Sequence, residues 1–203
     1  MPIVKPFRFL PSISRKDLNY EFADFTSFPK LFSAEEVEKI RGLWNEEFVK
    51  TAEVNMAGNA ISRDDLRKSK LMFIKTGAND WIYEKLGQAC LQANANRYKF
   101  DVKGFQTELQ LANYGPEDFF EWHMDFGAGD ISDRKLSITV QLSDPDEYEG
   151  GELQFMINHS IFTAPREKGT AIIFPSFALH RVNRVIKGSR KSIVGWIAGP
   201  PYR

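Results

Sequence analysis

Glu121-Trp122-His123-Met124-Asp125 is the stretch on which the reading of this chain turns. In an extended strand, side chains two residues apart leave the same face, so His123 and Asp125 would stand side by side. An imidazole and a carboxylate held together are two of the three ligands of a facial metal site. His180, within Phe177-Ala178-Leu179-His180, offers a third, and the chain has only 3 histidines. Two histidines and one carboxylate would cover one face of a divalent metal and leave the opposite positions open. His180 also follows the apolar run Ile172-Ile173-Phe174, so a hydrogen-bonded core histidine is the competing reading. His159 lies in Asn158-His159-Ser160 and reads as a solvated turn residue.

Outward from that stretch, the chain beyond residue 100 is a series of short alternating or apolar segments. Strands are predicted over 105–114, 121–126, 136–142, 152–156, 170–174, 180–185 and 192–197. Gly, Pro, Asp and Asn clusters separate them, among them Gly115-Pro116, Asn158-His159 and Lys187-Gly188. Short strands at this spacing indicate a sandwich or jelly roll, not a parallel α/β sheet. Within 136–142, Leu136, Ile138, Val140 and Leu142 take one face, and Ser137, Thr139 and Gln141 the other. That polar face either meets solvent or lines a polar cavity. Phe119, Phe120 and Trp122 precede His123, and Phe119 is read as the rim of a substrate mouth.

Upstream, Ser33 and Glu36 form a capping box, with Phe32 and Val37 as the hydrophobic staple across it. Val37, Ile40, Trp44 and Phe48 recur at helical spacing and predict one buried face. The polar stretch 55–70, containing Gly58, predicts a mobile loop, and Leu71-Met72-Phe73-Ile74 a strand. A second helix is expected to open at Asn79 or Asp80, with Ile82, Leu86, Ala89, Cys90 and Ala93 on its apolar side. The expected organisation is an N-terminal arm, 1–20, followed by a single domain, 21–203. Within that domain, helical support fills 31–100 and the β core 101–203, and the helices pack outside one sheet.

Bulk composition narrows the function classes. Lys plus Arg equals Asp plus Glu at 27 each, which gives no global electrostatic case for nucleic acid or a membrane surface. No apolar run approaches the roughly 20 residues of a membrane span, and the N-terminus lacks a signal-peptide core. Cys90, the sole cysteine, excludes an internal disulfide and suits a cytoplasmic setting. It reads as a core residue and not as a catalytic thiol.

Arg190, Ser192 and Trp196 fall on one face of the last predicted strand. A guanidinium beside a hydroxyl can bind a small carboxylate bidentately; the competing reading is a solvated basic surface with Lys187 and Lys191. With these residues in place, the stretch 106–196 resembles the iron(II)- and 2-oxoglutarate-dependent dioxygenases. The resemblance is closest to their prolyl 4-hydroxylase-like branch, including the bacterial PKHD-type hydroxylases. It is carried by His123-x-Asp125, His180, Arg190 ten positions later, and Tyr114 nine positions before His123. The run Leu142-Ser143-Asp144-Pro145-Asp146-Glu147-Tyr148-Glu149-Gly150-Gly151-Glu152-Leu153 and the helix start Phe32-Ser33-Ala34-Glu35-Glu36 also match it.

The resemblance implies a mainly β fold with supporting helices: a double-stranded β-helix (jelly roll) with N-terminal helices packed on one sheet. It implies that His123, Asp125 and His180 bind Fe(II), and that Arg190 pairs with the distal carboxylate of 2-oxoglutarate. Tyr114 would hydrogen-bond the cosubstrate, Ser192 would complete an Arg-x-Ser pair, and Trp196 would line the pocket wall. Gln141 departs from the pattern, since several animal relatives have tyrosine there; its amide is expected to donate to the cosubstrate carboxylate instead. O2 and, as an accessory, ascorbate belong to the implied chemistry, which is hydroxylation of a C–H bond. Peptidyl proline is the first substrate expected. A free amino acid, another small molecule, an alkylated nucleobase, or a silent binding module are the alternatives, and neutral charge weighs against nucleic acid.

Overall fold

Period-two alternation decides which way each strand faces, and burial shows what each face meets. Along Arg134–Gln141, Leu136, Ile138 and Val140 point one way and Ser137, Thr139 and Gln141 the other, yet every residue from 135 to 141 is buried. A strand buried on both faces must be covered twice. One cover is a layer of helices, and the other is a second sheet.

A computed structural model of the chain describes residues 25–202 except 53, 57, 58 and 62, with the backbone alone described at 54–56 and 59–61. The predicted arm, 1–20, and Gly58 lie outside the described residues. The larger sheet runs in the order Thr26–Phe28, Ala171–Pro175, Arg134–Gln141, Arg190–Ala198, Leu109–Tyr114, Lys70–Ile74, Lys50–Thr51. Gly104–Phe105 also pairs with Arg190–Ala198. The smaller sheet runs Ser160–Thr163, Leu153–Ile157, His180–Val182, Phe119–His123, Arg67–Lys68. From residue 109 onward the chain alternates between the two sheets with antiparallel pairing, which is the jelly-roll arrangement.

The helices cover the outer face of the larger sheet. Val37 and Ile40 of helix α1 (Ala34–Arg41), and Ile82, Leu86, Ala89, Cys90 and Ala93 of helix α2 (Asp80–Ala93), join Leu111, Ile138 and Ile193 in one core. Each Val, Leu or Ile side chain among them contributes roughly 1.5–3 kcal/mol by leaving water. The inner face packs Ile172 and Phe174 against Leu153 and Phe155 of the smaller sheet. Ala112, Tyr114 and Val194 meet Val182 and Phe120 in a second contact between the sheets. No helix among the described residues is long and apolar enough to cross a membrane.

Several local expectations change. Helix α1 has the predicted capping box, with Glu36 N–H donating to Ser33 Oγ at 3.2 Å and Ser33 N–H to Glu36 Oε2 at 2.7 Å. It stops at Arg41, however, where Gly42 caps it, and Asn45 starts a separate 3₁₀ turn, Glu46–Phe48. Phe48 therefore leaves the predicted buried face and is 61% exposed, while Trp44 stays half-buried against the core. The predicted loop 55–70 instead contributes a short strand pair, Val54–Met56 with Asn59–Ile61, and the edge strand Arg67–Lys68. The single strand predicted over 105–114 breaks after Phe105 and resumes at Leu109. That over 180–185 likewise divides into His180–Val182 and Val185–Gly188.

Candidate metal centre

His123 ends its strand, and Asp125 lies two residues beyond it. The pleat of one continuous strand, expected from the sequence, is therefore not what aligns the pair. Asp125 is turned inward by its own contacts. Its N–H donates to Ser176 O at 2.9 Å, and its Oδ2 accepts from Ser137 Oγ at 2.7 Å. Ser137 Oγ is also 3.1 Å from Ser176 Oγ, which ties the carboxylate to two strands of the larger sheet or their ends.

His180 reaches the same place through strand pairing. It lies directly opposite His123 in the register of the smaller sheet, with ring centroids 4.2 Å apart. Directly opposed residues on neighbouring strands have their side chains in contact on one face. Asp125 Oδ1 is 3.6 Å from His123 Nε2, and Asp125 Oδ2 is 3.6 Å from His180 Nε2. One ligand atom from each of the three residues lies within 4.8 Å of the others, a spacing that a single ion can bridge.

The protonation pattern suits metal binding. His123 Nδ1 is 2.7 Å from Glu121 O, and His180 Nδ1 is 2.8 Å from Ala178 O. A carbonyl oxygen only accepts, so each Nδ1 carries the proton and donates it. The lone pair of each neutral ring is left on Nε2, the nitrogen that faces Asp125. Burial and then repulsion from His123 push His180 down from 6.5 to about 4, so its ring is neutral at pH 7. Burial works against ionising Asp125, but attraction to His180, the hydrogen bond and charge of His123, and Arg134 outweigh it. The carboxyl is held well below the usual carboxylate range. A neutral imidazole beside a carboxylate is the donor set an Fe(II) ion requires.

Arg190 lies on the larger sheet, opposite Tyr114 in register, with its guanidinium carbon 5.6 Å from the Tyr114 ring centre. It is 1% exposed, which excludes the solvated-surface reading. Its Nη2 donates to Gln141 Oε1 at 3.0 Å, Nη1 is 3.4 Å from Ser192 Oγ, and Nε has no partner among the described residues. No described carboxylate lies within 4.0 Å of it. A buried guanidinium without a counter-charge is costly. The pocket is chemically matched to an incoming carboxylate.

Gln141 stands beside Arg190. Its amide nitrogen donates one N–H to Pro165 O at 3.0 Å, and its oxygen accepts from the guanidinium and helps to orient it. The second N–H of the amide is left to donate. The polar face of its strand, open to either reading from the sequence, faces the interior. Ser192, Gln141, Tyr114 and Arg190 are buried together, and none of them lines the open cleft of about 730 Å³ that Leu71, Phe73, Phe120, His123, Arg134 and Trp196 form. Phe119, expected at the rim, is 7% exposed under the Arg184 guanidinium, and its neighbour Phe120 lines the cleft instead. Trp196 does form a wall, with Arg134 stacked 3.8 Å from its ring centre. His159 is exposed, in a turn.

The double glycine of the run 142–153 has a steric reason. Gly150 has φ +77°, and a Cβ there would stand 2.2 Å from Arg184 O; at Gly151, φ +65°, one would press on Val185, Tyr148 and the Arg190 stem. Only glycine allows that approach without strain. Sequence reasoning missed Ser176, Arg134 and Gln110 as site residues. Ser176 read only as part of a Pro-Ser break, and Arg134 carried no signal. Gln110 stands between Leu109 and Leu111 in the predicted strand, and that alternation was the available cue.

The family model described as the 2OG-Fe(II) oxygenase superfamily matches residues 109–198. The chain is 30% identical over 182 residues to a PKHD-type hydroxylase of a Picosynechococcus species, with 85% of this chain and 77% of that protein covered. A PKHD-type hydroxylase of Pseudomonas paraeruginosa is 27% identical over 177 residues, with 83% and 75% covered. Among solved structures, a Pseudomonas putida prolyl-4-hydroxylase superposes with a TM-score of 0.71 at 20% identity, covering 87% of this chain and 93% of that one. A Trichoplax adhaerens prolyl hydroxylase, in complex with a hypoxia inducible factor oxygen degradation domain peptide fragment, also gives 0.71 at 15% identity, covering 86% and 83%.

Proposed function

The chain belongs to the 2OG-Fe(II) oxygenase superfamily, in its PKHD-type hydroxylase branch, and on that premise we propose that it hydroxylates peptidyl proline. The observation that carries the site assignment is the buried, unpaired Arg190 on one sheet together with three convergent metal donors on and beside the other. Support for a peptide target is the likeness of the fold to prolyl hydroxylases, one of them solved with a peptide.

In this reading His123, Asp125 and His180 would hold Fe(II). The Nδ1 hydrogens of the two histidines, fixed on Glu121 and Ala178 carbonyls, leave both Nε2 lone pairs free to bind it. Arg190 would bind the distal carboxylate of 2-oxoglutarate, its Nε having no partner among the described residues, and Ser192 and Tyr114 stand beside it. When bound, iron and 2-oxoglutarate with O2 supply the oxidant: one oxygen atom enters a substrate C–H bond, the other enters succinate, and CO2 leaves. The apolar walls of the cleft, Leu71, Phe73 and Phe120, exclude water and position the target. Ascorbate would serve as a reductant that keeps the iron divalent.

The test is incubation with Fe(II), 2-oxoglutarate and O2 against a panel of proline peptides and free amino acids, read by mass spectrometry. The expected result is a gain of one oxygen on proline peptides with matching succinate. Gain on a free amino acid alone, or none with no succinate formed, refutes the substrate assignment. His180→Ala is expected to lose iron and succinate production together, and undiminished succinate from that variant would sink the metal assignment.

A further inference from the structure

Four buried side-chain polar atoms among the described residues lack a hydrogen-bond partner, and the residues that carry two of them line the same cleft. These are Trp196 Nε1, a donor, and Gln110 Oε1, an acceptor. Their proximity follows from the register. Gln110 stands opposite Val194 on the neighbouring strand, and Trp196 is two residues further along that strand on the same face. Such diagonal neighbours lie about 7–8 Å apart, within reach of long side chains. The neighbouring strand is interrupted between Phe105 and Leu109, and Gln106 meets the Trp196 backbone there. The indole is fixed. Arg134 stacks on it, and the Arg134 Nε donates to Gln106 Oε1 at 2.6 Å, while Gln106 N–H donates to Trp196 O at 2.9 Å.

A buried donor and a buried acceptor, both unmet, are costly to keep unless a ligand completes them. We propose that Gln110 and Trp196 clamp a backbone peptide link of the substrate, Trp196 Nε1–H donating to its carbonyl and Gln110 Oε1 accepting its N–H. This rests on the peptidyl hydroxylase reading above and deepens it, since it names how a peptide is told from a free residue. Both clamp groups are neutral, as a peptide link is. The ammonium and carboxylate of a free amino acid would need charged partners once buried. Of the cations that line the cleft, Lys50, Arg67 and Arg134, the one stacked on Trp196 is Arg134, which already engages Gln106 through Nε and the Asp125 carbonyl through Nη1 at 3.4 Å. Proline has no N–H of its own, so the donor to Gln110 comes from a residue flanking the target.

The test uses the iron-loaded full chain and a series of proline peptides in which one flanking N–H at a time is replaced by an ester oxygen. For the wild type, one ester position is expected to lower kcat/KM about tenfold, mainly through KM, as loss of a neutral hydrogen bond to a buried partner does. For Gln110→Leu, the parent peptide is expected to be about tenfold poorer, and the same ester to make less than a twofold further difference. Trp196→Phe, which keeps the ring and removes the donor, is expected to raise KM for the parent peptide similarly. If peptides are hydroxylated but Gln110→Leu still discriminates amide from ester as the wild type does, the clamp is overturned while the peptidyl reading stands. If the wild type hydroxylates free amino acids and no peptide, both fall.

Discussion

Replacing Arg190 with methionine should stabilise the protein while disabling it. In the absence of cosubstrate the guanidinium is buried with one firm hydrogen bond, to Gln141 at 3.0 Å, one long contact, to Ser192 at 3.4 Å, and a bare Nε. An unmet buried N–H costs about 1–3 kcal/mol, and exchanging buried charge for an apolar side chain of similar volume often gains about 1–4 kcal/mol. Leaving Gln141 Oε1 without its donor takes back about 1 kcal/mol. The net expectation for Arg190→Met is a gain of about 1–2 kcal/mol, or roughly 2–8 °C in Tm for a chain of this size. Cosubstrate reverses the order. At a hundred times its Kd, 2-oxoglutarate adds about 2.7 kcal/mol to the wild type, and the variant receives less than about 1 kcal/mol of it. Loss of a buried charged pair costs about 2–5 kcal/mol, so the KM for 2-oxoglutarate should rise by roughly 30-fold to a few thousand-fold. The assays are thermal unfolding with a redox-inert divalent metal, with and without 2-oxoglutarate, and succinate production against 2-oxoglutarate concentration. A variant less stable than wild type by more than about 1 kcal/mol without cosubstrate would refute the argument, as would a KM within about threefold of wild type.

Ser137→Ala removes the hydroxyl that holds Asp125 Oδ2 at 2.7 Å and is expected to weaken Fe(II) binding about 10- to 100-fold in an anaerobic titration, with partial rescue by Ser137→Thr. Equal affinity in all three proteins would remove Ser137 from its positioning role. The metal-free protein should lose stability as pH falls from about 6.5 toward 4, because His180 has its pKa lowered to about 4 and the unfolded chain takes up that proton first. The loss is about 2 kcal/mol by pH 5 relative to pH 7.5. Thermal midpoints of chelator-treated protein should fall over that window, and a flat or rising profile would contradict it.

Much of the site could be read in advance, and the parts that could not share a cause. His123, Asp125, His180 and Arg190 stand at spacings that local sequence carries, and the two-residue alternation sorted Ser137, Thr139 and Gln141 from their apolar neighbours. Helix α1 was legible at its start, where Ser33 and Glu36 cap each other within one turn, and misread at its end, where the apolar spacing ran past Gly42. Phe119 and Phe120 were indistinguishable in sequence because adjacent strand residues face opposite sides, and which side is the cleft depends on the other sheet.

The sequence by itself pointed to a short-stranded β architecture, to a jelly roll through its family resemblance, and to the three residues that converge, since these rest on patterns within a few residues or on residue types too scarce to be interchangeable. Tertiary structure alone decided how those donors meet. His180 faces His123 through strand register across 56 intervening positions of chain. Asp125 leaves its strand and is aimed by Ser137 and Ser176 from the other sheet. Gln141 turns its oxygen to Arg190 because its nitrogen donates to Pro165. Hydrogen bonds between segments far apart in sequence set these orientations, and no local pattern encodes a partner that only the fold brings within 3 Å.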